Sequence, residues 1–358
     1  MAPVNMGPTL AFVSKTPLWT RLFEITDIRD DMPPKFFETS SYVSELVPSD
    51  VDSLIASPAL SLVSFGCVGK NTLYQYRFYQ TNQERLSSWY KWTLSGNLLH
   101  QFFDVSNMFL ITSTDANTVH VESIDLTQER EEGFLTLRSG EKTDTCLDLF
   151  SVNPRREYDA LNNKTKIYLP YHHNPTNGFR MALVNIGTYI GSAVTAASAQ
   201  TVGSVEYPTV NTTGADHFIE TRGDQRGRNL IVGYVYDMEL TMPKFFVGQT
   251  DGSTYRTDTT AELILHRFKV DVTLSGPVTY SVAIQGRDTY REEVNVTLPA
   301  QYLLNSVNMT SAATHEIPVY QRNKNVTFKI IGDTPFPVSL LGMSWEGKYV
   351  QRNYQRMN

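Results

Sequence analysis

The sequence predicts an all-β chain, with propeller-like blades, a barrel or sandwich, and a loop-rich insertion between them. Three observations carry this. Apolar and polar residues alternate with a period of two through much of the chain, and turn dipeptides separate the alternating runs. No window keeps a helical apolar period for three turns with caps at both ends.

Residues 1 to about 60 hold Pro17, Pro33, Pro34, Pro48 and Pro58, a spacing that predicts only short strands and edges. From about 61 to 150 two similar bundles follow. In the first, Leu73–Tyr79 places Tyr74, Tyr76 and Phe78 on one face and Gln75 and Arg77 on the other; after a turn at Gln80–Glu84, Ser88–Leu94 returns. In the second, Asn107–Thr112 runs out and Val119–Leu126 returns around Asp115–Asn117. Trp89 and Trp92 are three apart, so they point to opposite faces of their strand, and both faces need cover. Face-to-face stacked blades provide it, but two blades do not close a ring, so partner strands must come from elsewhere. Residues 1–150 are therefore expected to form blades and connecting strands.

Residues 151–228 turn to Asn, Thr, Gly and Pro and read as a loop-rich insertion with a few strands, such as Lys166–Leu169. Ala193–Gln200 is Ala-rich, but its β-branched and hydroxyl residues argue against a long helix. Residues 229–358 have the most regular strands: Phe268–Leu274, Tyr280–Ile284, Val294–Leu298 and Val326–Ile330. Ser275-Gly276-Pro277, Gly286-Arg287-Asp288 and Gly332-Asp333 punctuate them. A barrel or sandwich is expected here, with Lys348–Asn358 as a peripheral tail.

Charged residues make up 19% of the chain, against roughly 25% in an average soluble protein, which points to a good part of the outer surface being covered by something, sister copies being one candidate. A net charge of −6 argues against a protein that holds nucleic acid by neutralising phosphates. Cys67 and Cys146 cannot make a disulfide framework or a four-thiolate zinc site. No apolar run has membrane-span length, and no signal peptide is expected at Met1–Leu10. The Asn-x-Ser/Thr tripeptides at Asn163, Asn211, Asn295, Asn308 and Asn325 then read as turn and strand composition.

Tests for chemistry return little. His172 and His173 are adjacent and would face opposite ways on an extended chain, so they cannot share a metal. Asp216, His217 and Glu220 form the best local acid–base cluster, yet no nucleophile elbow accompanies them. Glu129–Glu132 reads as a solvated turn, and no phosphate-cradling glycine motif occurs. No catalytic residue, metal or cofactor is implied. The segment Glu220–Arg228 contains Arg-Gly-Asp and sets Arg222, Arg226 and Arg228 among glycines on a loop expected to be mobile, either a solvated loop or a flexible basic finger that meets a phosphate backbone or an acidic neighbour. The aromatic groups Trp89/Tyr90/Trp92 and Phe245/Phe246 read as core or interface more readily than as a sugar-stacking platform.

Several segments in order resemble the tail tubular protein B family, the nozzle proteins of short-tailed bacteriophages. They are Leu73–Leu94 with Ser88-Trp89-Tyr90-Lys91-Trp92, Val119–Leu126, Cys146–Leu149, and Tyr158–Tyr171. Further on come Ile231–Tyr236 with Glu239-Leu240 and Pro243, then Gly286–Tyr290, and finally Pro335-Phe336-Pro337 with Gly342–Tyr349. The resemblance covers the C-terminal half of a longer family pattern and implies that upstream propeller strands lie outside this sequence, in a truncated or split gene.

It further implies a structural, non-enzymatic virion protein that forms a distal tail ring, generally of six copies, which conducts and gates genomic DNA during ejection. Its implied partners are the tail adaptor protein (of the tail tubular protein A type), tail fibres, passing phage DNA and the host cell surface. On this reading residues 151–228 become a nozzle-tip candidate, and Arg222, Arg226 and Arg228 candidates for a channel or gate loop. Trp89, Trp92 and Trp345 become candidate core or interface aromatics. The alternatives are a tail-associated glycan-binding or glycan-cleaving β-protein and an adhesion protein acting through Arg-Gly-Asp.

Overall fold

The computed structural model describes residues 2–7, 9–26, 33–41, 43–80, 85–115, 117–127, 133–136, 142–170, 180–186, 204–214, 216–251, 254–258, 262–294 and 312–350. These residues are all-β: antiparallel sheets without an α-helix, and a single 3₁₀ turn at Asn323–Asn325. His172, His173, Glu129–Glu132, Ala193–Gln200, Asn295–Leu298 and the last eight residues lie outside the described residues. The chain divides into two compact units, residues 1–130 with 173–178, and residues 131–172 with 179–358.

The first unit stacks three sheets. Strands β1 (Val4–Asn5), β2 (Leu10–Lys15), β3 (Thr20–Thr26) and β4 (Lys35–Glu38) form the first, in chain order. The prolines that point to short strands and edges here fall between strands: Pro17 sits in the β2–β3 turn and Pro33-Pro34 precedes β4, so the ladder stays intact. The second sheet is β5 (Ser53–Ser57), β6 (Leu62–Gly66), β7 (Thr72–Gln80) and β8 (Arg85–Thr93). The third is the meander β9 (Asn97–Asp104), β10 (Asn107–Asp115) and β11 (Thr118–Asp125), in the order β11-β10-β9.

The middle sheet is covered on both faces. Val63, Phe65, Tyr76 and Phe78 pack against Ala11, Val13 and Leu22 of the first sheet. On the opposite face, Leu73 packs with Leu98, Met108 and Leu110 of the third. Every residue of β6 is buried. A polar seam runs through the second interface: Ser64 Oγ donates to Gln101 Oε1 at 2.8 Å, and Gln101 Nε2 donates to Ser53 Oγ at 2.9 Å. Those bonds compensate the amide and hydroxyls for lost water and fix the register between the sheets.

The second unit contains two sandwiches. Strands β12 (Leu135–Thr136) and β13 (Lys142–Thr143) pair as a short ribbon. One sheet is β14 (Leu147–Val152), β21 (Leu230–Val235), β17 (Arg180–Asn185) and β18 (Val205–Glu206), in that order. Its partner is β15 (Arg156–Asp159), β16 (Lys164–Tyr168), β20 (Asp216–Arg222) and β19 (Val210–Thr213). Ile167 and Ile219 meet Met181, Leu183 and Val232 in the core between them. Ala182, Val184, Ile231 and Val235 face the other way and are covered by Leu135, Leu147 and Phe336, so β17 and β21 are also buried on both sides.

The C-terminal sandwich packs β22 (Met238–Thr241), β29 (Val326–Gly332), β26 (Val278–Ile284) and β27 (Tyr290–Val294) against β28 (Ala313–Arg322), β25 (Glu262–Thr273) and β30 (Ser339–Val350). Strands β23 (Val247–Asp251) and β24 (Thr254–Asp258) form a separate ribbon. Of the two architectures expected near the C-terminus the structure has the sandwich, with Phe268, Tyr280 and Phe328 at its centre.

Candidate functional site

The Arg222–Arg228 segment is the turn between β20 and β21, and hydrogen bonds pin it closely. Gly223 adopts φ of +76°, a left-handed conformation that disfavours any Cβ. Thr165 Oγ1 donates to Gly223 O at 2.6 Å and accepts from Gln225 N at 3.0 Å. Gln225 is buried, and its Nε2 donates to Arg222 O at 2.7 Å.

From 69 residues away, Arg156 Nη1 donates to Gln225 O at 2.7 Å and also to Arg228 O. Its Nη2 reaches Asn153 Oδ1 at 2.8 Å. These acceptors are neutral oxygens, so the guanidinium acts as a cationic clamp on the turn, and burial pushes its pKa down from the usual arginine value.

The three candidate arginines are placed differently. Arg226 is exposed, and its Nε and Nη2 donate to the two carboxylate oxygens of Asp224 at 2.9 and 2.6 Å. It also lies over the Tyr158 ring at 5.2 Å. The guanidinium holds the Asp224 carboxyl down at about 2, and the Asp of the Arg-Gly-Asp tripeptide is occupied within its own turn. Arg222 is exposed at the end of β20, opposite Lys164 on β16, whereas Arg228 is half-buried and its carbonyl is held by Arg156.

The acid–base cluster is not assembled. Alternation along β20 turns His217 inward, where it bonds Thr212 Oγ1 at 3.0 Å, while Glu220 on the opposite face pairs with Lys164 at 2.9 Å. Another trio, which local sequence did not suggest, joins Cys67, Asp50 and Lys70. The buried thiol donates to Asp50 Oδ1 at 3.2 Å, and Lys70 pairs with the same carboxylate. Burial, with the adjacent Asp50, pushes the Cys67 thiol up to about 12, the opposite of an activated nucleophile. Among the described residues no group of three or more His, Cys, Asp or Glu is placed to hold a metal.

The tryptophans lie in the packing. Trp89 sits against the core between the first and second sheets, edge-on to Phe65 at 5.9 Å and 4.9 Å from Tyr76. Trp92 packs into the core on the other face of the same sheet. Trp345 on β30 lies directly opposite Phe268 on β25 and packs on the C-terminal core. Phe245 joins that core 5.1 Å from Phe268.

Long-range pairing therefore dominates, with titratable groups tied to neighbours in the same sheets. Such a chain is of the all-β class, built of antiparallel sheets packed face to face. It belongs to the bacteriophage nozzle protein family, whose model matches residues 1–356. Family membership identifies it as a structural component of a short phage tail, carried in the virion.

Tail tubular protein gp12 of Escherichia phage T7 is 24% identical over 367 residues, covering 98% of this chain and 43% of that protein, so the chain spans less than half the relative's length. Among solved structures, an exo-β-1,3-galactanase from Phanerochaete chrysosporium aligns over 96% of this chain and 95% of its own at 8% identity, with a TM-score of 0.19. An uncharacterized protein from Listeria monocytogenes aligns over 79% and 30% at 11% identity, with a TM-score of 0.14. At those scores neither likeness carries an argument about fold or function.

Proposed function

We propose that this chain is a non-enzymatic wall component of a tail nozzle, in which copies (six by the family resemblance) ring a passage for genomic DNA. The family match across residues 1–356 carries this reading. The chemistry of the chain supports it. A wall past which a polyanion slides should not neutralise phosphates, because each neutralised phosphate adds binding free energy and drag. Here the net charge is −6, and cations are paired locally: Arg226 with Asp224, Lys164 with Glu220, Arg155 with Glu157.

Residues 151–228 are the proposed tip region, between blades within 1–150 and a platform-like sandwich within 229–358. Arg222, Arg226 and Arg228 are the proposed gate residues, on a turn stiff enough to hold them at a constriction. The tail adaptor, the tail fibres and the host surface are the proposed partners at the ring's margins.

The test is to replace all three arginines by glutamine in the phage and to measure genome retention in mature particles and ejection on exposure to host cells. Premature leakage or delayed ejection is expected. Unchanged retention and ejection would remove the gate assignment. Imaging of particles with this chain labelled, showing no label along the genome exit, would remove the nozzle reading itself.

A further inference from the structure

The two sandwiches of the second unit are joined in chain order by a short link, since β21 ends at Val235 and β22 begins at Met238. One such link is a hinge, about which adjacent domains swing unless a broad apolar contact holds them. The connection between β29 and β30, residues 333–338, supplies a second point of attachment. It leaves the C-terminal sandwich, enters the β14–β21 sandwich and returns.

At its start, Arg180 Nη2 of β17 donates to Asp333 O at 2.7 Å, and the same guanidinium lies over the Tyr207 ring at 5.0 Å. At its middle, Cys146 N, one residue before β14, donates to Pro335 O at 3.0 Å. Phe336, 3% exposed, fills a socket lined by Leu135, Leu147, Ala182, Val184, Ile231 and Val235. At its end, Gly276 N donates to Pro337 O at 3.0 Å, Ser339 N donates to Ser275 Oγ at 2.8 Å, and Val338 packs on the C-terminal core. The fit is close: a Cβ on Gly276 would come within 2.6 Å of Phe336 Cβ. Proline on each side of the aromatic anchor fixes the backbone φ near about −65°, which stiffens the strap.

Strand β21 connects this socket to the arginine turn. Its Ile231 and Val235 face Phe336, its Leu230, Val232 and Tyr234 face the core shared with Ile167 and Ile219, and the Arg222–Arg228 turn leads into its start. We infer that the strap locks the two sandwiches into one rigid, cooperatively folding body, so that the arginine turn moves only when the C-terminal sandwich moves with it. Bending between them would draw an aromatic ring out of a packed socket and strip donors from the carbonyls of Asp333, Pro335 and Pro337. The consequence for gating rests on the nozzle reading: a passage would open or close by displacement of the whole body, not by flexing between tip and platform. The lock itself stands without that reading.

The experiment follows backbone amide exchange by mass spectrometry in the full chain at increasing urea. Peptides from β17 and β21 are compared with peptides from β25 and β26. Phe328→Leu loosens the C-terminal core at a residue that belongs to that core and not to the socket. With Phe336 in place, it should speed exchange in both sandwiches by one common factor, on the order of tenfold, because neither opens without the other. With Phe336→Ala added, β17 and β21 should cease to respond to Phe328→Leu while β25 and β26 still respond. Should Phe336→Ala not fold, Phe328→Leu alone decides the matter. Failure of β17 and β21 to respond while Phe336 is present would overturn the inference, as would coupling that survives Phe336→Ala. Either failure leaves the nozzle reading standing, because that reading is tested by where the chain lies in the particle.

Discussion

The outer faces of the first unit and of the C-terminal sandwich follow the same alternation but differ in how far charge covers them. On the β28-β25-β30 sheet the outward positions carry Arg267 and Lys269 between Glu316 and Glu346, with Arg267 reaching Glu316 at 2.6 Å and Glu346 at 3.0 Å, and Lys269 pairing with both. On β2–β4 and β9–β11 the equivalent positions mix phenylalanine, isoleucine and valine with polar groups such as Arg21, Glu38, His100, Ser123 and Asp125. One sheet meets water with a network of four charged side chains, the others with large apolar side chains set among fewer paired charges. Burial on the inside therefore says little about how an element meets its surroundings; the outward positions decide that.

The largest effects should come from positions with cover on both sides. Phe65→Ala in the middle sheet and Phe268→Ala in the C-terminal core should each cost about 3–5 kcal/mol in urea unfolding, since each leaves a cavity in a packed layer. If Phe65→Ala were mild, the middle sheet would not be a true core and the comparison would break.

Gly233→Ala comes next. A Cβ there would lie 2.9 Å from Leu147 Cβ and 3.0 Å from Asp148 O, so a loss of about 1–3 kcal/mol is expected by the same measurement. On the outer face of the third sheet the effect should be much smaller. Phe109→Ala in the chain alone should cost about 1 kcal/mol or less, because that side chain is already part-exposed.

Smaller still are the exposed charges. Glu346→Gln should barely move the unfolding midpoint, and any shift should vanish at roughly 1 M salt, where screening extends over only about 3 Å. The Asp224 tether is read by pH. Its carboxyl titrates at about 2, below the ordinary 3.8, so the contact with Arg226 is fully present above the ordinary value and is lost as pH falls through about 2. Carbon-detected NMR titration should place the Asp224 midpoint there, and Arg226→Gln should return it toward the ordinary value.

Much of the strand pattern is legible in the sequence. Leu73–Tyr79 lies within β7, Asn107–Thr112 opens β10, and Val119–Leu126 matches β11 to within a residue. Period-two alternation is a local property, and these strands have it. The first sheet is more continuous than its proline content suggests, because Pro17 and Pro33-Pro34 sit in connections, where no ladder bond is lost. The candidate site is less legible. Arg222, Arg226 and Arg228 are visible as a basic turn, but the clamp from Arg156 is not, since its acceptors lie 69 and 72 residues further along and leave no local signature.

By itself, then, the amino-acid order determined the strands, their two-faced character and the opposed directions of Trp89 and Trp92, because side-chain direction in an extended chain depends only on parity along the backbone. Tertiary structure alone decided which sheet lies on which, and that, among the described residues, β5–β8 is covered on both faces. It also decided that Arg156 donates to the backbone carbonyls of Gln225 and Arg228. Those outcomes follow from contacts between residues far apart in sequence, and such contacts exist only once packing has brought their carriers together.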